Sequence, residues 1–210
     1  MTVMGIGRDI AGVPLPDSAA AQDAEQTLRS LAPCALYAHS LRSYVFASLI
    51  ASRDGLQVDG EALYVGCVLH DIGLTPAYEH PSRPFEQVSA AAAQALTARY
   101  GWALARRAAV GRSIVLHMAA EVGGGESPEA RALEAGVSLD VTGRGIADLE
   151  SAVVLEVCRA LPRGPFKHDF SELLRSEAAR KPSSATAVGI SAGLLDRVSA
   201  APFDDTCEPE

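Results

Sequence analysis

Residues 64–74, Tyr64-Val65-Gly66-Cys67-Val68-Leu69-His70-Asp71-Ile72-Gly73-Leu74, decide how the chain is read. Six uncharged residues run into a histidine and an aspartate, and apolar residues resume at Ile72. The pattern reads as a buried helix with an N-cap at Asp59, closed by Gly73 and Pro76. Two ionisable side chains then stand at the end of a buried segment, where an unpaired charge is costly and calls for a partner. A divalent metal is one such partner. A helix-end hydrogen bond or a surface pair is the ordinary reading of a His-Asp dipeptide taken alone.

Outward from this stretch the periodicity is helical almost throughout. Residues 1–20, with Gly5, Gly7, Gly12, Pro14 and Pro16, read as an irregular arm. One helix is expected from Ala20 to Leu31, stopping before Pro33, and a second from His39 to Arg53. The apolar residues of the second nearly encircle it, so it should be buried. Phe85 to Tyr100 and Trp102 to His117 give a fourth and a fifth, broken at Gly101 and at Gly123-Gly124-Gly125. Ser127-Pro128 opens a short helix ended by Gly136, with a separate turn over Val137 to Val141. Asp148–Leu161, Ser171–Arg180 and Ser184–Val198 complete the set, and residues 201–210 read as a frayed acidic tail. With no internal repeat and no convincing strand, the expectation is an all-α fold in a single domain over residues 21–200.

Composition narrows the partners. Eighteen Lys and Arg against 26 Asp and Glu leave a formal charge of −8, which disfavours a protein that neutralises phosphate backbones. Aromatic residues at 5% are too few for stacking on single strands, and 48% hydrophobic residues suffice for a real core. No apolar run reaches bilayer length, and the first fifteen residues lack a signal-peptide pattern. Cys34, Cys67, Cys158 and Cys207 form no Cys-x-x-Cys pair. Three of them sit in apolar or helical context, which reads as buried reduced thiol. A cytoplasmic protein without nucleic-acid or membrane partners is expected. Ala-rich stretches such as Ala90 to Ala98 leave a homo-oligomer open.

Two more residues share the unusual setting of His70 and Asp71. His39 and Asp140 are each flanked by apolar residues, where a solvated charge is unexpected. Each taken alone reads equally as a capping residue. Two imidazoles and two carboxylates would neutralise a divalent ion and leave positions for water.

Taken in order, His39-Ser40-Leu41-Arg42, Leu69-His70-Asp71-Ile72-Gly73 and Leu139-Asp140-Val141 resemble the HD-domain superfamily of metal-dependent hydrolases. Within it the sequence looks most like the cyanamide hydratase-like branch, over about residues 30–160; Phe85-Glu86 and Ile114-Val115-Leu116-His117 add to that likeness. The resemblance implies an HD-domain helical bundle with a metal site between helices. It makes His39, His70, Asp71 and Asp140 the ligands of a divalent ion, with Zn preferred and Fe or Mn compatible. His117, Glu86 and Asp71 become candidate catalytic groups, and Arg42 and His117 candidate substrate contacts. Against these roles, His117 reads equally as a core histidine, Glu86 as a helix-dipole carboxylate and Arg42 as half of a structural salt bridge. His80 and His117 are weighed as ligands of a second ion, and their placement fits poorly.

Nucleotidases of the superfamily carry His-Asp-x-x-Glu, and Leu74 stands at that last position here. The motif segments also offer few basic side chains for a phosphate. The expectation is a metal-dependent hydratase (a lyase) or hydrolase acting on a small-molecule substrate, such as a nitrile-like group (cyanamide to urea). A metal-dependent phosphohydrolase acting on a nucleotide or related ester, and a non-catalytic metal-stabilised binding module, stand as the alternatives.

Overall fold

The computed structural model describes residues 9–119 and 121–203. Gly5 and Gly7 of the expected arm, Cys207 and all but the first three residues of the expected acidic tail lie outside the described residues. The architecture is all-α. The helices are α1 (Ala19–Leu31), α2 (Cys34–Arg53), α3 (Gly60–Leu69), α4 (Phe85–Arg99), α5 (Leu104–Leu116), α6 (Pro128–Thr142), α7 (Ser151–Ala160), α8 (Phe166–Arg180), α9 (Ala185–Ser191) and α10 (Leu194–Ser199). Single 3₁₀ turns follow α3 and α6, at Ile72–Leu74 and Ile146–Asp148. No described helix is long and apolar enough to cross a membrane.

The starts of these helices follow from short polar side chains. The Ser18 hydroxyl accepts the Ala21 N–H at 3.1 Å, Asp59 accepts that of Ala62 at 3.1 Å, and Ser127 accepts that of Ala130 at 3.2 Å with Pro128 as first helical residue. α2 is the axis of the bundle. Its residues from Ala38 to Ala47 are all buried, and it lies against α3, α6 and α8. α4 pairs with α5, and its capless start is satisfied from another helix: the buried Glu177 of α8 accepts the Phe85 N–H at 2.9 Å.

Several boundaries differ from the expected ones, each for a local reason. α2 begins at Cys34, directly after Pro33, so His39 projects from inside a buried helix rather than from its frayed start. Cys34 at that first position is exposed, unlike Cys67 and Cys158. α8 likewise starts earlier, at Phe166 after Pro165. The expected helix over Ser184–Val198 is two, divided at Gly193, whose φ of 80° ends the first. Within the expected arm a two-residue hairpin, β1 (Asp9–Ile10) with β2 (Val13–Pro14), turns through Ala11 and Gly12. Two residues per strand give no alternation to read, and the hairpin is tied to α2 by the Tyr44 hydroxyl, which donates to the Pro14 carbonyl at 3.0 Å.

The largest difference is at Gly136, which does not end a helix. α6 runs through it, and the separate turn expected over Val137 to Val141 is the second half of the same helix. Gly136 is there for contact: a Cβ at this position would lie 2.4 Å from the Ser43 carbonyl oxygen and 2.6 Å from the Ala47 nitrogen. Both are backbone atoms of α2 and cannot move aside. α6 therefore lies close enough to α2 for Asp140 to reach His39. Gly136→Ala is expected to destabilise the protein by about 2–3 kcal/mol through overpacking, despite the better helix propensity of Ala. Gly124→Ala, with nothing within 4 Å of the added carbon, should shift the urea midpoint little; equal midpoints for the two variants would contradict the close approach.

Candidate metal centre

Two helix ends and one helix middle converge on a small buried volume. His39 enters from α2, His70 and Asp71 from the turn that closes α3, and His117 from the residue after α5. The α3 turn is pressed against the start of α4. A Cβ at Gly73 would sit 2.3 Å from the Phe85 carbonyl oxygen, and the Gly73 N–H donates to the Ser89 hydroxyl at 2.9 Å. The His-Asp pair is thus held by packing on both sides. His39, His70, Asp71 and His117 are all buried.

The hydrogen bonds fix the chemistry of each ring. His39 Nδ1 lies 2.7 Å from Asp140 Oδ2, His70 Nδ1 lies 2.7 Å from the Cys67 carbonyl oxygen, and His117 Nδ1 is bonded to the Ile114 carbonyl oxygen. All three partners are acceptors only, so each Nδ1 carries the hydrogen and each neutral ring turns the Nε2 lone pair inward. Those lone pairs meet one another and Asp71. His39 Nε2 is 3.2 Å from His70 Nε2 and 3.4 Å from Asp71 Oδ2, His70 Nε2 is 3.2 Å from the same oxygen, and His117 Nε2 is 3.6 Å from Asp71 Oδ1. Neither Asp71 oxygen has a hydrogen-bond partner.

A set of acceptors facing each other without a donor is unfavourable unless a cation sits among them. The spacing suits one. Four ligands about 2.0–2.1 Å from a tetrahedral centre stand about 3.3 Å apart, close to the separations here. His39, His70 and Asp71 form the one group among the described residues with the spacing of metal ligands. Burial alone would raise the Asp71 carboxyl, but the His70 and His39 rings outweigh it and hold the group well below the usual carboxylate range. Burial likewise lowers His39, and the hydrogen bond to Asp140 with the nearby Asp71 carboxylate reverses this and raises it. The protein thus draws positive charge to this point. His117 goes the other way, pushed down to about 4 by burial and by the His70 ring.

Asp140 and Arg42 are paired with each other beside the ligand group. Asp140 is not in the ligand group. Besides His39 it accepts from Arg42, with Nε at 2.8 Å and Nη2 at 3.0 Å, and from Arg163 Nη1 at 2.6 Å. Both of its oxygens are engaged, and the two guanidiniums outweigh burial to keep the carboxyl well below its ordinary value. Its position is behind His39, where it fixes the tautomer and the ring plane. Arg42 is wholly buried and spends its remaining donors on the Leu161 and Pro162 carbonyls at 3.1 and 3.2 Å. It faces Asp140, and the pair is the structural salt bridge weighed against a substrate contact.

Arg163 is the functional residue that sequence reading missed. It also donates to the Asp140 carbonyl at 3.0 Å, and it stacks over Phe203. Its neighbours Leu161-Pro162 and Gly164-Pro165 read as a connector, and its one signal was a lone Arg flanked by them. Phe166 and Phe170 close the far side of His39, with ring centroids at 4.7 and 5.3 Å.

Glu86, in the first turn of α4, is buried with Oε2 unpartnered, and burial raises its carboxyl. His80 sits in the loop, where its Nδ1 accepts the N–H groups of Ser82 and Arg83 at 3.2 and 2.9 Å. It is outside the group that could hold an ion. A cavity of about 490 Å³ lies between α6, α8, α9 and α10, and His117 forms part of its wall.

The HD domain family model matches residues 36–149, just over half of the chain, and the chain belongs to the HD-domain family. That membership implies a metal-dependent hydrolase-type function and a divalent ion, in accord with the His-His-Asp group. No curated protein matches the chain.

The low-lying His117 has a consequence for the metal-free protein. Between pH 6.5 and about 4 the unfolded chain binds a proton at this residue that the folded one refuses, so stability falls as the pH is lowered through that window. Glu86, raised in the fold, opposes this, and the raised His39 adds no slope below its unfolded value. The difference between wild type and His117→Phe isolates the effect. In urea unfolding of chelator-treated protein, wild type should lose up to ~1.4 kcal/mol per pH unit more than the variant across the window; parallel curves would contradict the assignment.

Proposed function

We propose that this protein is a metal-dependent hydratase or hydrolase that adds water to a small, weakly charged substrate, with a nitrile-like carbon such as that of cyanamide as the fitting electrophile. The observation that carries this reading is the state of the two arginines nearest the centre. Arg42 and Arg163 are both buried and committed to Asp140, so neither can receive a phosphate. Leu74 is buried at the position where the superfamily's nucleotidases hold a carboxylate. At the centre itself a phosphate ester would find neither the charge nor the acid it needs.

His39, His70 and Asp71 would hold the ion, and His117 presents its Nε2 to the same space. When bound, a divalent ion there would lower the pKa of water and polarise the electrophile, and two imidazoles with a carboxylate suit Zn, with Fe or Mn compatible. The residues do the rest. Asp140, held by two arginines, keeps His39 in the tautomer that points Nε2 inward. In hydration of cyanamide the water oxygen bonds to the nitrile carbon as one C–N π bond breaks. His117 Nε2 or the Glu86 carboxyl returns the water's proton to the nitrogen, and the product settles as urea. Burial of the centre excludes bulk water from the competing steps.

Elemental analysis with paired assays tests this. Wild type should hold about one divalent ion per chain and form urea from cyanamide without releasing phosphate from nucleotides. Asp71→Ala and His70→Ala should lose both ion and activity. Phosphate release alone would select the phosphohydrolase, and a retained ion with neither activity would favour the metal as a structural staple. Asp140→Asn should keep the ion with about 10–100-fold weaker affinity, the usual cost of losing a residue behind a ligand; complete loss of the ion would make Asp140 a ligand instead.

A further inference from the structure

The cavity between α6, α8, α9 and α10 adjoins the centre, and its volume of about 490 Å³ is out of proportion to cyanamide. At about 30 Å³ per water it has room for roughly sixteen water molecules, and it falls in the range of small-molecule sites. Cyanamide, with three heavy atoms, would leave most of it to solvent.

Its lining is mainly apolar. α6 contributes one stripe at helical spacing, Glu134, Val137, Ser138 and Val141, while Asp140 on the same helix turns to His39. Phe170 and Leu174 face the stripe from α8. The polar members of the stripe satisfy one another: Glu134 accepts from Ser138 at 2.8 Å and from Arg144. Arg197 is an exposed residue of the lining, and its Nη1 donates to the Ala192 carbonyl at 2.7 Å. The wall therefore offers apolar area without a cluster of unmatched charge.

Two of its residues lead to the centre. His117 lines the cavity and packs edge-on to the His70 ring at 4.9 Å, with Nε2 3.6 Å from Asp71. Phe170 lines it and lies 5.3 Å from the His39 ring. The His117 side chain, only 2% exposed, belongs to both cavity wall and centre. At the other end Val188 of α9 is 63% exposed and marks the rim.

We propose that this cavity holds the apolar body of the substrate: the protein acts on an uncharged organic molecule of several carbons, whose reactive end meets the centre at His117. This rests on the metal-centre reading given above, and binding measurements separate the two. The probes are straight-chain hydroxamates from acetohydroxamate to hexanohydroxamate, titrated calorimetrically into the zinc-loaded protein. The chelating head is the same throughout and only the tail grows. Affinity should rise about fourfold per methylene, the value of burying one CH₂. Val188→Trp at the rim and Val137→Phe in the wall should both flatten that rise; the first lies on an exposed surface and its folding is not at stake.

Acetohydroxamate binding with no gain from longer tails would overturn the cavity assignment and leave the centre standing. A rise that neither variant alters would place the tail elsewhere and overturn it too. No hydroxamate binding at all would overturn it as well, and zinc content measured on the same sample then decides whether the metal centre falls with it.

Discussion

Everything at the heart of this molecule depends on one electrostatic constraint. Three histidines have given their Nδ1 hydrogens to fixed acceptors behind them, so three Nε2 lone pairs converge on a carboxylate that has no donor of its own. In a dry interior such a meeting of acceptors is unfavourable, and the low dielectric magnifies it. A cation bonded to His39, His70 and Asp71 would relieve that repulsion. The centre is therefore built as the inverse of its ion, and packing holds it in place: glycines at 73 and 136 bring helices to backbone contact around it.

Asp140 carries that constraint outward. A lone buried carboxylate against a histidine would compete for the ion or draw a proton. Arg42 and Arg163 prevent both, since they fill its oxygens and hold it ionised. The cost is two buried guanidiniums, and it is offset by carbonyl acceptors at Leu161, Pro162 and Asp140 itself and by the ring of Phe203. The connector before α8 is thereby tied to the same point as α2 and α6, and Phe166 and Phe170 follow it into place over His39. α6 serves two purposes on two faces, Asp140 inward and an apolar stripe toward the cavity.

The helical fold and the burial of α2 were legible in the sequence because each is written in local pattern, apolar periodicity and a cap at Asp59 or Ser127; the grouping of His39, His70 and Asp71 followed from the resemblance to the HD-domain superfamily. What was not legible depends on contacts between distant segments. Gly136 has the same appearance whether it stops a helix or lets one helix touch another, and only the neighbouring α2 decides. Asp140 looked like a ligand because a buried carboxylate needs a cation; its cations are two arginines, one of them 23 residues further on in an apparent loop. Arg42 was visible as a residue in need of an acid, but not which acid, so a contact with substrate remained as good as a salt bridge. His117 could be placed on an inward face but not on the wall of a cavity whose other sides come from α6 and from residues 170–197.

The central claim is that His39, His70 and Asp71 converge on a single ion while Asp140 stays behind His39. Anomalous diffraction from crystals of the zinc-loaded protein at the metal edge tests it most directly. The account predicts one peak within bonding distance of His39 Nε2, His70 Nε2 and the Asp71 carboxylate, with Asp140 bonded to both arginines and not to the ion. A peak bonded to an Asp140 oxygen, or no peak among these residues in protein shown to contain zinc, would contradict it.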